Sequence, residues 1–254
     1  MSYPLKHVLI AGAVSISLLS ACSKSALVTP VEQQNTAVPN EKNGALAPLT
    51  LTPVGSVAYT SNGLTVVFTN NYSNLDDALR QRMVNTFFSV YPQLRTRFNT
   101  NAATSVTFIM DPNYNGVAAT SGTVVRYSAS YFQTHASDID VVTHEIMHIV
   151  QAYTGGAPGW LTEGIADYVR YKYGVDNAGA GWSLPNWSSS QSYTDAYRVT
   201  ARFLVWIERH GHPSIVNDLN TRLRNHTYTS STWSTLTGET VDQLWADYSA
   251  NPAL

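Results

Sequence analysis

The segment DVVTHEIMHIVQ, residues 140–151, contains two histidines and a glutamate in the pattern H-E-x-x-H. Residues four apart on a helix lie on one face, so in a helix His144 and His148 point the same way. Their imidazole groups can then bind one metal ion, and Glu145 beside them can hold a water molecule against that ion. The spacing therefore predicts a metal site with an adjacent carboxylate.

The same segment carries the signals of a buried helix. Apolar residues occupy most of its other positions, Ser137 and Asp140 supply a capped start, and Gly155 and Gly156 supply an end. Burying two imidazoles and a carboxylate costs free energy unless they bind a partner, and a metal ion is the natural one. The alternative is a structural helix whose two histidines form ordinary hydrogen bonds.

A third ligand is predicted in the segment GWLTEGIADY, residues 159–168. Pro158 suits the first turn of a helix there and Gly174 its end, and a glycine-rich break lets this helix fold back on the first. Glu163 would then face the two histidines as the third protein ligand that catalytic zinc requires. Asp167, one turn further on, can accept the N–H of a ligating histidine. Two alternatives stay open. In one, Asp167 is the third ligand and Glu163 supports it. In the other, Glu163 is an ordinary carboxylate at a helix start and Asp167 is a solvated helix residue.

Three segments resemble the plant basic secretory protein family and its bacterial relatives, which are grouped with zinc metallopeptidases. They are residues 160–168, 192–206 and 236–248. The first also resembles the segment that carries the glutamate ligand in gluzincin peptidases. The resemblance extends from about Gly63 to Tyr248 and implies a zincin-like fold. The metal-site residues that it implies are His144, Glu145, His148 and Glu163.

A further helix is predicted from about residue 193 to residue 210, followed by Gly211 and Pro213. Tyr193 and Tyr197 are four residues apart and would share a face of it. A tyrosine hydroxyl near the metal can stabilise the oxyanion that forms when a carbonyl is attacked. Tyr197 is the predicted catalytic donor because it lies in the family-like segment. The alternative is a tyrosine that anchors the helix in the core.

The order of predicted elements indicates the α+β class. Strand-like segments at 63–69, 105–110 and 123–129 flank a helix at 75–97, and helices dominate after them. We expect a small mixed β-sheet followed by a mostly helical half, with the metal site on two adjacent helices. In zincin folds the strand before the metal helix is a sheet edge, so residues 126–131 are expected to line the cleft.

The N-terminus is predicted to be a lipoprotein signal, residues 1–22. An apolar run at 8–19 is too short for a dedicated membrane span, and it leads into Leu-Ser-Ala before Cys22, the single cysteine of the chain. We expect lipid attachment at Cys22, a flexible tether at 23–48, and a peptidase domain at 49–254. That places the protein in the cell envelope, on a periplasmic or cell-surface face; an ordinary secretory signal is the alternative.

These features predict a zinc-dependent peptidase that acts on peptides or proteins, with Glu145 as the general base. A formal net charge of -2 argues against nucleic acid as a partner. One alternative is a lipid-anchored surface adhesin or glycan-binding protein with a structural metal site. Another is a metal-free scaffold that keeps the motif as packing. An intact glutamate inside the motif disfavours both, because neither needs a base. The sequence leaves cleavage specificity and oligomeric state open.

Overall fold

The structure is a computed structural model and describes residues 49–254. The predicted signal segment with its lipidated Cys22 and the predicted tether at 23–48 lie outside the described residues. The proposed domain boundaries therefore stay predictions. None of the described helices combines the length and hydrophobicity of a membrane-spanning segment.

The first part of the described chain forms a five-stranded mixed sheet in the order β1-β2-β3-β5-β4. Strands β2, β3 and β5 are parallel, while β1 and β4 pair antiparallel at the two edges. Buried and half-buried residues alternate along β2, as expected of a strand with one face on the core. The strands are β1 (Gly55–Ser61), β2 (Leu64–Asn70), β3 (Ser105–Asp111), β4 (Ala118–Ser121) and β5 (Val124–Ser128).

Eight helices complete the described chain, and seven of them follow the sheet. This confirms the predicted α+β class. Helix α1 lies between β2 and β3 in sequence and packs on the sheet, where the ring of Phe87 meets the ring of Phe108 edge-on at 5.7 Å. The helices are α1 (Asp77–Phe98), α2 (Ala129–Thr134), α3 (Val141–Gln151), α4 (Gly159–Tyr173), α5 (Tyr197–Arg209), α6 (Ile215–Arg224), α7 (Thr232–Thr237) and α8 (Val241–Ala250).

The two edge strands differ from the prediction. Strand β5 was expected to be the edge above the cleft, but β4 pairs with its outer side and is itself the edge. Neither β1 nor β4 was predicted, because most of their side chains are exposed or half-exposed and lack the apolar alternation that marks a strand. The edge strand beside α3 is therefore β4.

The start of α5 also differs from the prediction. Residues Tyr193–Asp195 form a 3-10 turn, which Ser192 begins with a capping box, and the α-helix begins only at Tyr197. The break falls at Ala196, whose φ is 63°. Left-handed φ values are unusual for residues with a Cβ, so neither helix propensity nor apolar period reveals this break.

Helices α4 and α5 approach closely at Gly164. A Cβ added there would lie 2.2 Å from the Cγ2 atom and 2.5 Å from the Cβ atom of Thr200. The Thr200 side chain cannot easily move away, since it is buried and its hydroxyl donates to the main-chain oxygen of Tyr193 at 2.7 Å. Glycine at this position lets α5 pack directly against the helix that carries Glu163.

Gly164→Ala is expected to lower the free energy of unfolding by about 1–2 kcal/mol, because the overpacking cost exceeds the gain in helix propensity. Urea denaturation would measure the change. Gly159→Ala is the matched control on the same helix, since a Cβ there meets no atom within 4 Å, and its effect should stay within about 0.5 kcal/mol. Equal effects of the two substitutions would contradict the packing argument.

Candidate metal centre

Helices α3 and α4 pack side by side and bring three predicted ligands together. His144 and His148 lie one turn apart on α3, and Glu163 lies in the second turn of α4. The Nε2 atoms of the histidines are 3.2 Å apart, and the Glu163 Oε2 atom lies 3.2 Å from the first and 3.4 Å from the second. The fold-back of α4 that the sequence predicts thus places Glu163 against both imidazoles.

Both imidazole rings are held by acceptors on their far side. The Nδ1 atom of His144 lies 2.7 Å from Asp167 Oδ1, and the Nδ1 atom of His148 lies 2.8 Å from Gln151 Oε1. The Gln151 amide donates its N–H to the main-chain oxygen of Thr162 at 2.9 Å, which leaves its oxygen for the imidazole. Each Nδ1 therefore carries a proton, and in the neutral rings each Nε2 presents a lone pair.

Three electron-pair donors thus converge without a proton donor among them in the neutral state: two Nε2 lone pairs and a carboxylate oxygen. Such an arrangement is repulsive unless a proton or a metal cation lies among the three atoms. Tetrahedral zinc with ligands at about 2.0–2.1 Å places ligand atoms about 3.3 Å apart. The observed separations of 3.2, 3.2 and 3.4 Å fit that geometry. The residues present therefore fit a zinc-sized cation with one position left open.

In the absence of a metal, burial and the hydrogen bonds among these residues determine their protonation. Burial lowers the pKa of His144, but its hydrogen bonds to Asp167 and Glu163 outweigh burial and raise the pKa to about 10. Burial raises the pKa of Glu163, while hydrogen bonds from His144 and His148 dominate and hold the pKa far below its usual value. The site therefore stabilises positive charge at its centre.

Glu145 lies next to this group without belonging to it. Its side chain is buried, with the residue only 6% exposed, and it lines the same cleft. The hydroxyl of Thr120 donates a hydrogen bond to Glu145 Oε2 at 2.6 Å. The Oε1 atom makes no hydrogen bond to another described residue, so a water molecule between it and the three ligands could reach it.

Tyr197 lies over the site, at the first position of α5. Its ring is nearly parallel to that of His144, with the centroids 6.1 Å apart, and the residue is 54% exposed. The negative charge of Glu163 raises the pKa of Tyr197, and burial and the charges of Asp167 and Glu145 add to the effect, so the hydroxyl stays protonated at neutral pH. A φ of 46° after the 63° of Ala196 marks a strained turn beside the cleft.

Tyr193 does not share this position, contrary to the expected common helical face. Its hydroxyl donates to Asp242 at 2.7 Å, and its ring packs against Trp160. Because Tyr193 belongs to the preceding 3-10 turn, the 100° per residue of an α-helix does not relate it to Tyr197. Of the two tyrosines, Tyr197 is therefore the one beside the candidate ligands.

The site opens into a cleft of about 1100 Å³ between β4 and the helices. Of residues 126–131, which were expected to line it, Tyr131 alone among the described residues does so, and Arg126 and Tyr127 pair with β4 instead. At one end Arg170 forms an ion pair with Asp138, and its guanidinium lies 4.5 Å from the ring of Trp182. The cleft is lined by 117–120, Tyr131, Val141, His144, Glu145, His148, 151–153, Thr162, Glu163, Asp167, Arg170, 180–182, Tyr197 and Arg198, among others.

Two residues of the site were not predicted. Gln151 follows His148 by three residues, and a search of the helix for groups able to hold the second imidazole could have found it. Thr120 lies 25 residues before Glu145 on a strand with no recognisable pattern, so no local signal indicates it.

The family of this chain follows from a comparison with known families. The model of a family described as peptidase of plants and bacteria matches residues 51–248. The chain belongs to this family, which confirms the predicted resemblance. No curated protein matches the chain.

Solved structures of M1 zinc metallopeptidases are similar to this chain at low identity. One is a two-domain M1 zinc metallopeptidase mutant bound to L-tryptophan, with 13% identity, a TM-score of 0.46, and coverage of 82% of this chain and 53% of that chain. Another, from Deinococcus radiodurans, is a mutant bound to a Tyr-Ser-Ala substrate, with 14% identity, a TM-score of 0.46, and coverage of 81% and 52%. The chain thus spans about half the length of these structures.

Proposed function

We propose that this peptidase-family chain is a zinc-dependent peptidase of zincin-like fold, with zinc held by His144, His148 and Glu163. One observation carries the proposal: three electron-pair donors converge at 3.2–3.4 Å while both Nδ1 atoms are already paired. When bound, zinc supplies Lewis acidity that acidifies water and polarises a carbonyl group. The position left open by three protein ligands is what a catalytic site needs.

The residues around the ligands take distinct roles in this mechanism. Glu145 accepts a proton from the attacking water and delivers it to the leaving amine. Asp167 and Gln151 hold the two imidazole rings in the tautomer that can bind metal. Tyr197, protonated at neutral pH, donates a hydrogen bond to the oxyanion that develops on the substrate. In this mechanism Glu145 transfers one proton from water to the leaving amine, and Tyr197 stabilises the negative charge on the substrate oxyanion.

The cleft also suits an extended peptide as the substrate. Strand β4 is the sheet edge beside α3, so its outer main-chain groups face away from β5. An extended peptide can add to such an edge through main-chain hydrogen bonds, with little demand on its sequence. Peptide or protein substrates bound along 118–121 would place a main-chain carbonyl beside the metal ligands.

A structural metal in an adhesin or glycan-binding protein is the rival function. Structural zinc sites usually have four protein ligands, and the described residues bring three together. A carboxylate beside the ligands but outside the ligand set is also not needed to hold a structural metal. Both features favour hydrolysis.

The test is metal analysis together with chelation. The purified protein is expected to bind about one zinc per chain and to hydrolyse casein or a peptide mixture. Removal of the metal by a chelator should abolish hydrolysis, and added zinc should restore it. Full hydrolysis by metal-free protein would contradict the proposal, as would purified protein that binds no metal.

A further inference from the structure

The hydrogen bond between the edge strand and Glu145 extends the site beyond α3 and α4. Thr120 lies on β4, and its hydroxyl is 2.6 Å from Glu145 Oε2 and 3.1 Å from the main-chain oxygen of the same residue. A hydroxyl has one proton, and the shorter contact to a charged oxygen takes it. Within residues 49–254 no second side chain hydrogen-bonds this carboxylate.

We propose that Thr120 is a positioning residue for the general base. A glutamate side chain has three rotatable bonds, so a carboxylate without a fixed partner samples orientations in which neither oxygen reaches the attacking water. The Thr120 hydroxyl binds Oε2 and leaves Oε1 for that water. Because a displacement of about 1 Å can cost about 100-fold in rate, an anchor of this kind matters for turnover.

The location of Thr120 connects the base with the substrate cleft. Thr120 pairs with Val125 of β5, and its half-buried side chain is directed toward α3. The main chain of the same residue belongs to the edge that a peptide would join. A peptide bound along β4 would therefore contact the same residue that holds Glu145. This inference rests on the proposed peptidase function and adds no chemical step, since Thr120 keeps its proton throughout.

The experiment compares Thr120→Val, which removes the hydroxyl but keeps the shape, with Thr120→Ser, which keeps the hydroxyl. Thr120→Val is expected to lower kcat by about 10- to 100-fold and to leave KM within about 3-fold, with unchanged metal content. Thr120→Ser should keep kcat within about 3-fold of the wild type, because its hydroxyl can still donate. Thr60→Val is the matched control, an exposed threonine on the opposite edge strand β1, and its kinetics should equal those of the wild type.

Several outcomes would overturn this role. Wild-type kcat in Thr120→Val would do so, and so would an equal loss in Thr120→Ser, a loss of bound metal, or a change confined to KM. Glu145→Gln, measured in the same assay, distinguishes the positioning role of Thr120 from the proposed peptidase mechanism. If Glu145→Gln is inactive while Thr120→Val is fully active, the positioning role fails and the proposed peptidase mechanism stands. If Glu145→Gln hydrolyses normally, the peptidase mechanism itself fails.

Discussion

Glu145→Gln is expected to keep its metal and to lose hydrolysis by about 10²- to 10⁴-fold, the contribution of a general base. The amide has nearly the shape of the carboxylate and still accepts the hydrogen bond from Thr120, but it cannot take a proton from water. Metal affinity should not change, because Glu145 lies outside the group formed by His144, His148 and Glu163.

The measurement is kcat/KM on a peptide substrate, with metal content determined on the same sample. Glu239→Gln is the matched control, because Glu239 does not line the cleft and the substitution is chemically identical. Its activity should equal that of the wild type. Undiminished hydrolysis by Glu145→Gln would remove the general base from the mechanism. Loss of metal in this variant would instead show that Glu145 acts as a ligand.

Glu163→Gln is expected to weaken zinc binding by at least about 100-fold. Loss of an outer-shell partner typically costs 10- to 100-fold in metal affinity, and a direct charged ligand should cost no less. The neutral amide also removes the negative charge that helps hold a cation between the two imidazoles. Hydrolysis should fall with the bound metal and recover in part when excess zinc is added.

Competition with a chromophoric chelator would measure the affinity, and circular dichroism would show that the fold is kept. Glu239→Gln again serves as the control and should bind zinc like the wild type. Asp167→Asn tests the exchanged assignment of the two carboxylates, because the true ligand should show the larger loss. Wild-type zinc affinity in Glu163→Gln would remove Glu163 from the metal site.

Local patterns predicted much of the fold. The predicted helix at 75–97 corresponds to Asp77–Phe98, and the predicted strand at 105–110 corresponds to Ser105–Asp111. Both have a clear apolar period, which reflects one face packed on the core. The edge strands Gly55–Ser61 and Ala118–Ser121 were missed because exposed strands bury too little apolar surface to leave such a pattern.

The site residues also differ in how far a local sequence pattern could predict them. His144, Glu145 and His148 could be predicted together because the geometry of one helix relates them. Glu163 needed a prediction about how a second helix folds back, and the structure places it within 3.4 Å of both imidazoles. Tyr197 was predicted from a family-like segment, whereas the loss of Tyr193 from its face depends on a left-handed turn at Ala196.

The sequence by itself determined the α+β class, the family and the central H-E-x-x-H helix, since each can be recognised from residue patterns along the chain. Only the tertiary structure decided which strand forms the edge of the cleft, that Thr120 holds Glu145, and that Gln151 holds His148. The physical reason is that contacts between segments depend on how whole elements pack. Gly164 is an example, since the absence of its Cβ lets α4 and α5 approach at Thr200.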